Sequence, residues 1–167
     1  MKSPDKWIRK AYLLALGNVT IGSVNIPVFD RRVPIDIPQP ETYVVISSQT
    51  KQIADENKCG HGWNCSVLLD IFSQQPTSFV NMQIVDDIEE QISDQLDIWQ
   101  AKGREIYIPP FVVYHTTFSD SHDILIETPN TTIIRKLVRY NHRLNSIATI
   151  PDNLNNDFTY QFDFKLA

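Results

Sequence analysis

The chain has 167 residues, 42% of them apolar and 21% charged, with a formal net charge of -5 and a pI near 5.3. That length fits a single core, and the acidic balance argues against a protein built to grip nucleic-acid phosphates, an affinity that comes from clustered Lys and Arg. A mean hydropathy of -0.24, with no apolar run near the ~18 residues of a membrane span, argues against a helical anchor. Met1 to Trp7 lacks the continuous apolar stretch of a secretory signal. Only Cys59 and Cys65 carry thiols, so no disulfide framework is expected and a reducing compartment is the simpler assumption.

Ser3-Pro4-Asp5 reads as a helix start, with Ser as the N-cap, Pro at the first position and an acid in the first turn. Trp7, Ile8, Ala11, Tyr12, Ala15 and Leu16 follow at helical spacing, and Gly17-Asn18 supplies the stop. The short β-rich pieces Val19-Thr20-Ile21 and Val24-Asn25-Ile26, split by Gly22-Ser23, predict a tight hairpin. Pro27, Pro34, Pro38 and Pro40 then impose extended, non-helical backbone around Asp30-Arg31-Arg32. Tyr43-Val44-Val45-Ile46 is bulky at every position, the pattern of a strand covered on both faces.

The polar stretch Ser47 to Trp63 reads as a long hairpin arm or loop leading to a strand over Cys65 to Ser73, in which Cys65, Val67, Leu69 and Ile71 alternate onto one face. A second helix is expected from about Thr77-Ser78, where Val80, Ile84, Ile88, Ile92 and Leu96 repeat every four residues with Val85 and Trp99 beside them. Strands are expected at Ile106 to Ile108, Phe111 to Phe118 and Ile124 to Ile126, interrupted by a Ser119-Asp120-Ser121-His122 turn. Thr131 to Leu144 fits either helical spacing or, by its β-branched content, a strand, and is read as a strand. Past a solvated Asn/Asp stretch, Phe158, Tyr160, Phe162 and Phe164 fall on every second residue and predict a strand with one aromatic face. That face needs a cover, either from its own sheet or from a neighbouring chain by strand addition.

The chemistry-bearing residues are sparse. Cys59, His61 and Cys65 place three metal-ligand types in one glycine-containing loop, yet their spacing matches none of the paired motifs that make zinc sites specific. The preferred reading is a loop in which Cys65 is the first core residue of a strand, with no metal and no cofactor. A small zinc-binding or cysteine-dependent domain around those residues is the alternative, as is an adaptor that donates its last strand. No residue can be named to orient His61 beside a nucleophilic cysteine, and no phosphate-cradling glycine loop occurs, so no enzymatic activity is expected. Arg31 and Arg32 fit a turn or interface pair better than a phosphate clamp.

Charge, by contrast, is segregated. Six acids, Asp86, Asp87, Glu89, Glu90, Asp94 and Asp97, occupy Ser73 to Ala101 without a base, while Arg135, Lys136, Arg139 and Arg143 occupy Thr131 to Asn145 without an acid. Two such patches suit an internal contact or a contact between subunits.

The order of features, an amphipathic helix ending near Gly17, a hairpin leading into Ile26-Pro27-Val28-Phe29-Asp30-Arg31-Arg32-Val33-Pro34, the Tyr43-Val44-Val45-Ile46 strand, a polar arm, Val67-Leu68-Leu69-Asp70-Ile71-Phe72 and a long helix, resembles the tail-completion or tail-terminator proteins of tailed bacteriophages. The resemblance covers roughly Lys6 to Arg143. It implies an α+β domain over residues 1–145, with two helices packed on one face of an antiparallel sheet and a long hairpin arm. Residues 146–167, which have no counterpart in the resemblance, are expected from their own pattern to be a C-terminal extension with a terminal strand. It further implies a virion protein assembled in the bacterial cytoplasm as a homo-oligomeric ring, hexamer or dodecamer, between neck, portal-adaptor or tail proteins. DNA would pass through the channel without specific binding and without a membrane. The surfaces expected to make those contacts are Arg31, Arg32, Asp86, Asp87, Glu90, Asp94, Arg135, Arg139, Arg143 and the aromatics Phe158, Tyr160, Phe162 and Phe164.

Overall fold

A computed structural model of the chain describes residues 3–17, 19–57, 60–101 and 111–146, apart from the side chains of 55–57, 60, 61 and 97–101. The elements run α1 (Asp5–Ala15), β1 (Thr20–Ile21), β2 (Val24–Asn25), β3 (Val28–Asp30), β4 (Thr42–Asn57), β5 (Gly60–Pro76), α2 (Gln83–Ala101), β6 (Phe111–Glu127) and β7 (Thr131–Ser146). Strands β3 to β7 form one sheet in the order β3-β4-β5-β7-β6, and β1 pairs with β2 as a separate hairpin. The architecture is α+β, as expected, with one departure from an antiparallel sheet: β3 runs parallel to β4. The proline-rich segment between them lets the chain travel back before β4 begins, and Val28, Phe29 and Asp30 are the only three residues paired there.

Helix α1 begins at Asp5, where the Pro4 carbonyl accepts from the amides of Trp7 and Ile8; the Ser3 hydroxyl goes to the Asp5 carboxylate instead of capping the backbone. Ile8, Ala11, Tyr12, Ala15 and Leu16 are buried, the stripe that 3.6-residue periodicity dictates. Gly22 takes the positive φ required at the first position of its two-residue turn. Helix α2 starts five residues later than the sequence predicts. Gln75, buried, exchanges two hydrogen bonds with the backbone of Asn81, and the Asn81 side chain then accepts from the Gln83 amide, which places Val80 outside the helix and exposed. From there Val85, Ile88, Ile92 and Leu96 all go to the core, each stabilising the docked helix by about 2 kcal/mol as an upper estimate.

Tyr43, Val44, Val45 and Ile46 are all buried, and so are Cys65, Val67, Leu69 and Ile71. The polar arm is itself strand: β4 and β5 stay paired from Thr42↔Ser73 out to Asn57↔Gly60. A bulge between Ile46 and Ser48 shifts the alternation by one, so Gln49 and Lys51 face α1, where they bond to Asp5. Segment 131–146 is a strand whose even-numbered residues from Thr132 to Leu144 are buried. The turn predicted at Ser119 to His122 is absent; β6 runs unbroken through it and takes up the surplus as bulges between Val113 and His115 and between Phe118 and Asp120. Continuous pairing with β7 outweighs the local turn preference. The strand expected at Ile106 to Ile108 and the extension from residue 147 onward lie outside the described residues.

Candidate functional site: two charged faces on opposite sides of the sheet

Alternation along β7 divides its basic residues between the two faces of the sheet. Lys136 has even parity and points under α2, where it is 8% exposed and paired with Asp86, with Glu89 at 3.0 Å and with Asp123 at 3.5 Å. Burial alone pulls an ammonium pKa down; hydrogen bonds to Asp86 and Glu89 outweigh it and hold Lys136 above its ordinary value. Part of the opposite-charge relationship read from the sequence is thus an internal clamp between α2 and β7, to which Ser93 and Tyr140 add a 2.8 Å hydroxyl pair. With Val85, Ile88, Ile92 and Leu96 facing the sheet, Asp87, Glu90 and Asp94 fall on the opposite side of the helix, at i, i+3 and i+7, and Glu90 and Asp94 are exposed. They form an acidic ridge facing away from the sheet.

Arg135, Arg139 and Arg143 have odd parity and share the other, outer face. Arg135 forks onto Asp70, a carboxylate only 3% exposed, through Nε at 3.3 Å and a shorter bond from Nη2. That hydrogen bond to Asp70 is the main reason the guanidinium pKa is raised. The same guanidinium lies 4.7 Å over Phe72, which stacks on Tyr43 at 4.8 Å, with Phe29 edge-on beyond it. Tyr43 is pushed above the usual phenol range by burial, against a lowering hydrogen bond from Gln39. Tyr43, Phe72, Arg135 and Ile124 are register partners in turn, so one continuous cross-strand row spans β4, β5, β7 and β6. Arg139 donates to the Ser66 hydroxyl at 3.1 Å and faces Asp120 at 3.6 Å. With Arg143, His115, Asn64, Asn141 and Thr117 it lines an open polar hollow of about 560 Å³ on this face. Hydroxyls, amides and guanidinium groups of this kind suit contact with a polar or acidic protein surface.

Arg31 and Arg32 are exposed at the end of β3, where the Arg31 amide donates to the Ile46 carbonyl at 3.1 Å as the last bond of the pairing with β4, and the chain then turns at Arg31, with a φ of 69° and the Arg32 amide donating to the Asp30 carbonyl at 2.9 Å. Arg9, pairing with Asp30, fastens α1 beside them. Cys59, the side chain of His61 and the aromatics Phe158, Tyr160, Phe162 and Phe164 lie outside what is described. Cys65 is buried in the core, and burial pushes its thiol up to about 12, which opposes thiolate chemistry. Among the described residues no group of His, Cys, Asp and Glu side chains is arranged to hold a metal ion.

Two buried polar features escaped the sequence reading. Asp70 lies within an apolar strand, but its parity with Ser66, Leu68 and Phe72 places it opposite Cys65, Val67, Leu69 and Ile71, a signal the sequence contains. His142 shares parity with Ile134, Val138, Tyr140 and Leu144 and follows them inward: it is 2% exposed, its Nε2 lies 2.7 Å from the Tyr12 hydroxyl and its Nδ1 lies 2.9 Å from the Thr116 hydroxyl.

No protein-family model matches the sequence, and no curated protein matches it significantly. Among solved structures, the fold is similar to a chain in the virion of a native gene transfer agent particle, with a TM-score of 0.54 at 16% identity over 86% of this chain and 92% of that one. At this identity the likeness establishes a shared fold.

Proposed function

We infer that this chain is a structural component of a phage-type particle, acting through contacts with other protein chains and not by catalysis, and that it forms a ring of identical copies in the neck or tail. The fold shared with a gene transfer agent virion chain supports the first part. The observation that carries the second is the placement of charge: Asp87, Glu90 and Asp94 on the outward side of α2, Arg139 and Arg143 on the far side of the sheet. A closed ring needs two different patches on each subunit, meeting head to tail. Faces of opposite sign on opposite sides of one subunit satisfy that requirement. Neck, portal-adaptor or tail proteins would stack above and below, and a net negative chain lets DNA pass by weak repulsion.

The test is charge reversal at surface positions that leave the core intact. Asp87→Lys with Glu90→Lys is expected to abolish the oligomer seen by light scattering and electron microscopy at low salt, and adding Arg139→Glu with Arg143→Glu in the same chain is expected to restore it. Assembly and salt dependence unchanged by the first pair of substitutions would defeat the ring contact.

A further inference from the structure

The hollow on the outer face carries, beside its two arginines, a third group able to hold a positive charge. His115 is exposed on β6, pairs in register with Arg143 of β7 and lines the hollow with Arg139 and Arg143. The bulge between Val113 and His115 turns it to this side, while Thr116 points inward to His142. The lining from β4 and β5 is neutral: the hydroxyls of Thr50 and Ser66 and the amides of Gln52 and Asn64. Cys65 and His142 border the hollow too, but both are buried, and Tyr12 and Thr116 hold the His142 ring in the core. Among the described residues no carboxylate lines it, and Asp120, outside it on β6, faces Arg139 at 3.6 Å and His122 at 3.4 Å.

We propose that His115 makes the contact between neighbouring copies sensitive to pH: the acidic ridge of α2 from one copy seats in this hollow of the next, and the His115 imidazole takes up a proton from solvent as it does so. This rests on the head-to-tail contact proposed above and adds to it the residues that meet and the condition that governs them. Charge and spacing select the occupant. Arg139 and Arg143, four residues apart on a strand, stand about 13 Å apart along β7. Asp87 and Asp94, seven residues apart on α2, stand about 10 Å apart, with Glu90 between them. Arginine side chains are long enough to close that difference, so the ridge can lie across both guanidinium groups with a carboxylate beside the imidazole. A neutral imidazole adds nothing to the charge attraction, whereas an imidazolium adds a third cation, and a carboxylate within a few ångströms favours that form. A contact that binds a proton as it forms tightens as pH falls. Aspartate and glutamate are ordinarily ionised between pH ~6 and pH ~8, so histidine is the side chain whose charge changes in that interval.

The test measures, by light scattering on full-length chains at low and constant ionic strength, the concentration at which half the protein is assembled at pH ~8 and at pH ~6. The native chain is expected to assemble at about fivefold lower concentration at the lower pH, the effect of one added charge pair per contact. His115→Gln should lose most of that difference, and His115→Lys should assemble at the lower concentration at both pH values. His122→Gln, which removes the histidine beside Asp120 on the same face, should keep the native difference. A pH difference in His115→Gln equal to that of the native chain, or one lost in His122→Gln instead, would overturn the proposal. Asp87→Lys with Glu90→Lys separates its failure from that of the ring contact. If this pair abolishes assembly while His115→Gln keeps the native difference, the contact stands and the role of His115 falls; if assembly is unchanged by the pair, both fall together.

Discussion

Protonating His142 should loosen the docking of α1, because its imidazole, only 2% exposed, sits between Tyr12 of α1 and Thr116 of β6. A neutral ring offers one donor and one acceptor nitrogen to the two hydroxyls. The imidazolium has two donors, which would force the buried Tyr12 hydroxyl to accept and leave its own hydrogen to find another partner. Burial holds the His142 pKa down to about 4, against an ordinary value of ~6.5 in the unfolded chain. Because the folded value is the lower one, the stabilisation is complete above the unfolded pKa, declines as pH falls below it, and is exhausted once pH passes below the folded pKa. At pH ~5 the unfolded histidine is almost fully protonated and the folded one mostly neutral, so this single group removes about 2 kcal/mol, rising to about 3 kcal/mol below pH ~4. Urea unfolding near pH ~7.5 and pH ~5 should be compared for the native chain and for His142→Gln, whose amide supplies one donor and one acceptor without titrating in this range. Carboxylate contributions are common to both proteins and cancel in the difference. The variant is expected to lose about 2 kcal/mol less than the native chain over that interval; equal losses would refute the argument.

Two further substitutions probe the charges spent on the fold. Lys136→Met leaves Asp86, Glu89 and Asp123 facing one another beneath α2 and is expected to cost about 2 kcal/mol at neutral pH, short of a fully buried pair because Asp86 and Asp123 are half-exposed; high salt should return part of it, and a salt-independent loss would point to packing instead. Arg135→Ala strands the buried Asp70 carboxylate and is expected to cost about 3 kcal/mol, with Asp70→Asn in the same chain recovering much of the loss in a double-mutant cycle; additive losses would deny the coupling.

The residues show unequally where they will go. Where one face is buried and the other wet, periodicity is decisive: Ile8, Ala11 and Tyr12 in α1, Cys65 to Ile71 in β5 and Ile88 to Leu96 in α2 sit where spacing puts them. Where tertiary pairing overrides local preference, it is not. Ser119 to His122 has turn composition, yet fifteen register pairs with β7 hold β6 straight, and a one-residue bulge is enough to absorb the conflict. The onset of α2 depends on Gln75, eight residues upstream of the first helical residue, reaching the Asn81 backbone, a contact no local window contains. Pairing of β3 with β4 in parallel likewise needs the path of the proline segment, and Val28 to Asp30 alone is too short to signal it.

The charged site was legible as composition and illegible as geometry, and parity explains why. A cluster of bases at 135, 136, 139 and 143 looks like one patch until the segment is known to be a strand. On a helix, 135, 136, 139 and 143 would share a face and meet a partner together. On a strand, the single even-numbered member turns inward to anchor α2, and the three odd-numbered arginines turn outward in one line. Choosing strand over helix for 131–144 therefore decides more than secondary structure: it separates the cation that stabilises the fold from those that face outward, and it sets the outward ones on the side of the molecule opposite the acidic ridge of α2. If that separation governs assembly, reversing Lys136 should damage stability before it damages oligomer size, and reversing Arg139 and Arg143 should do the opposite.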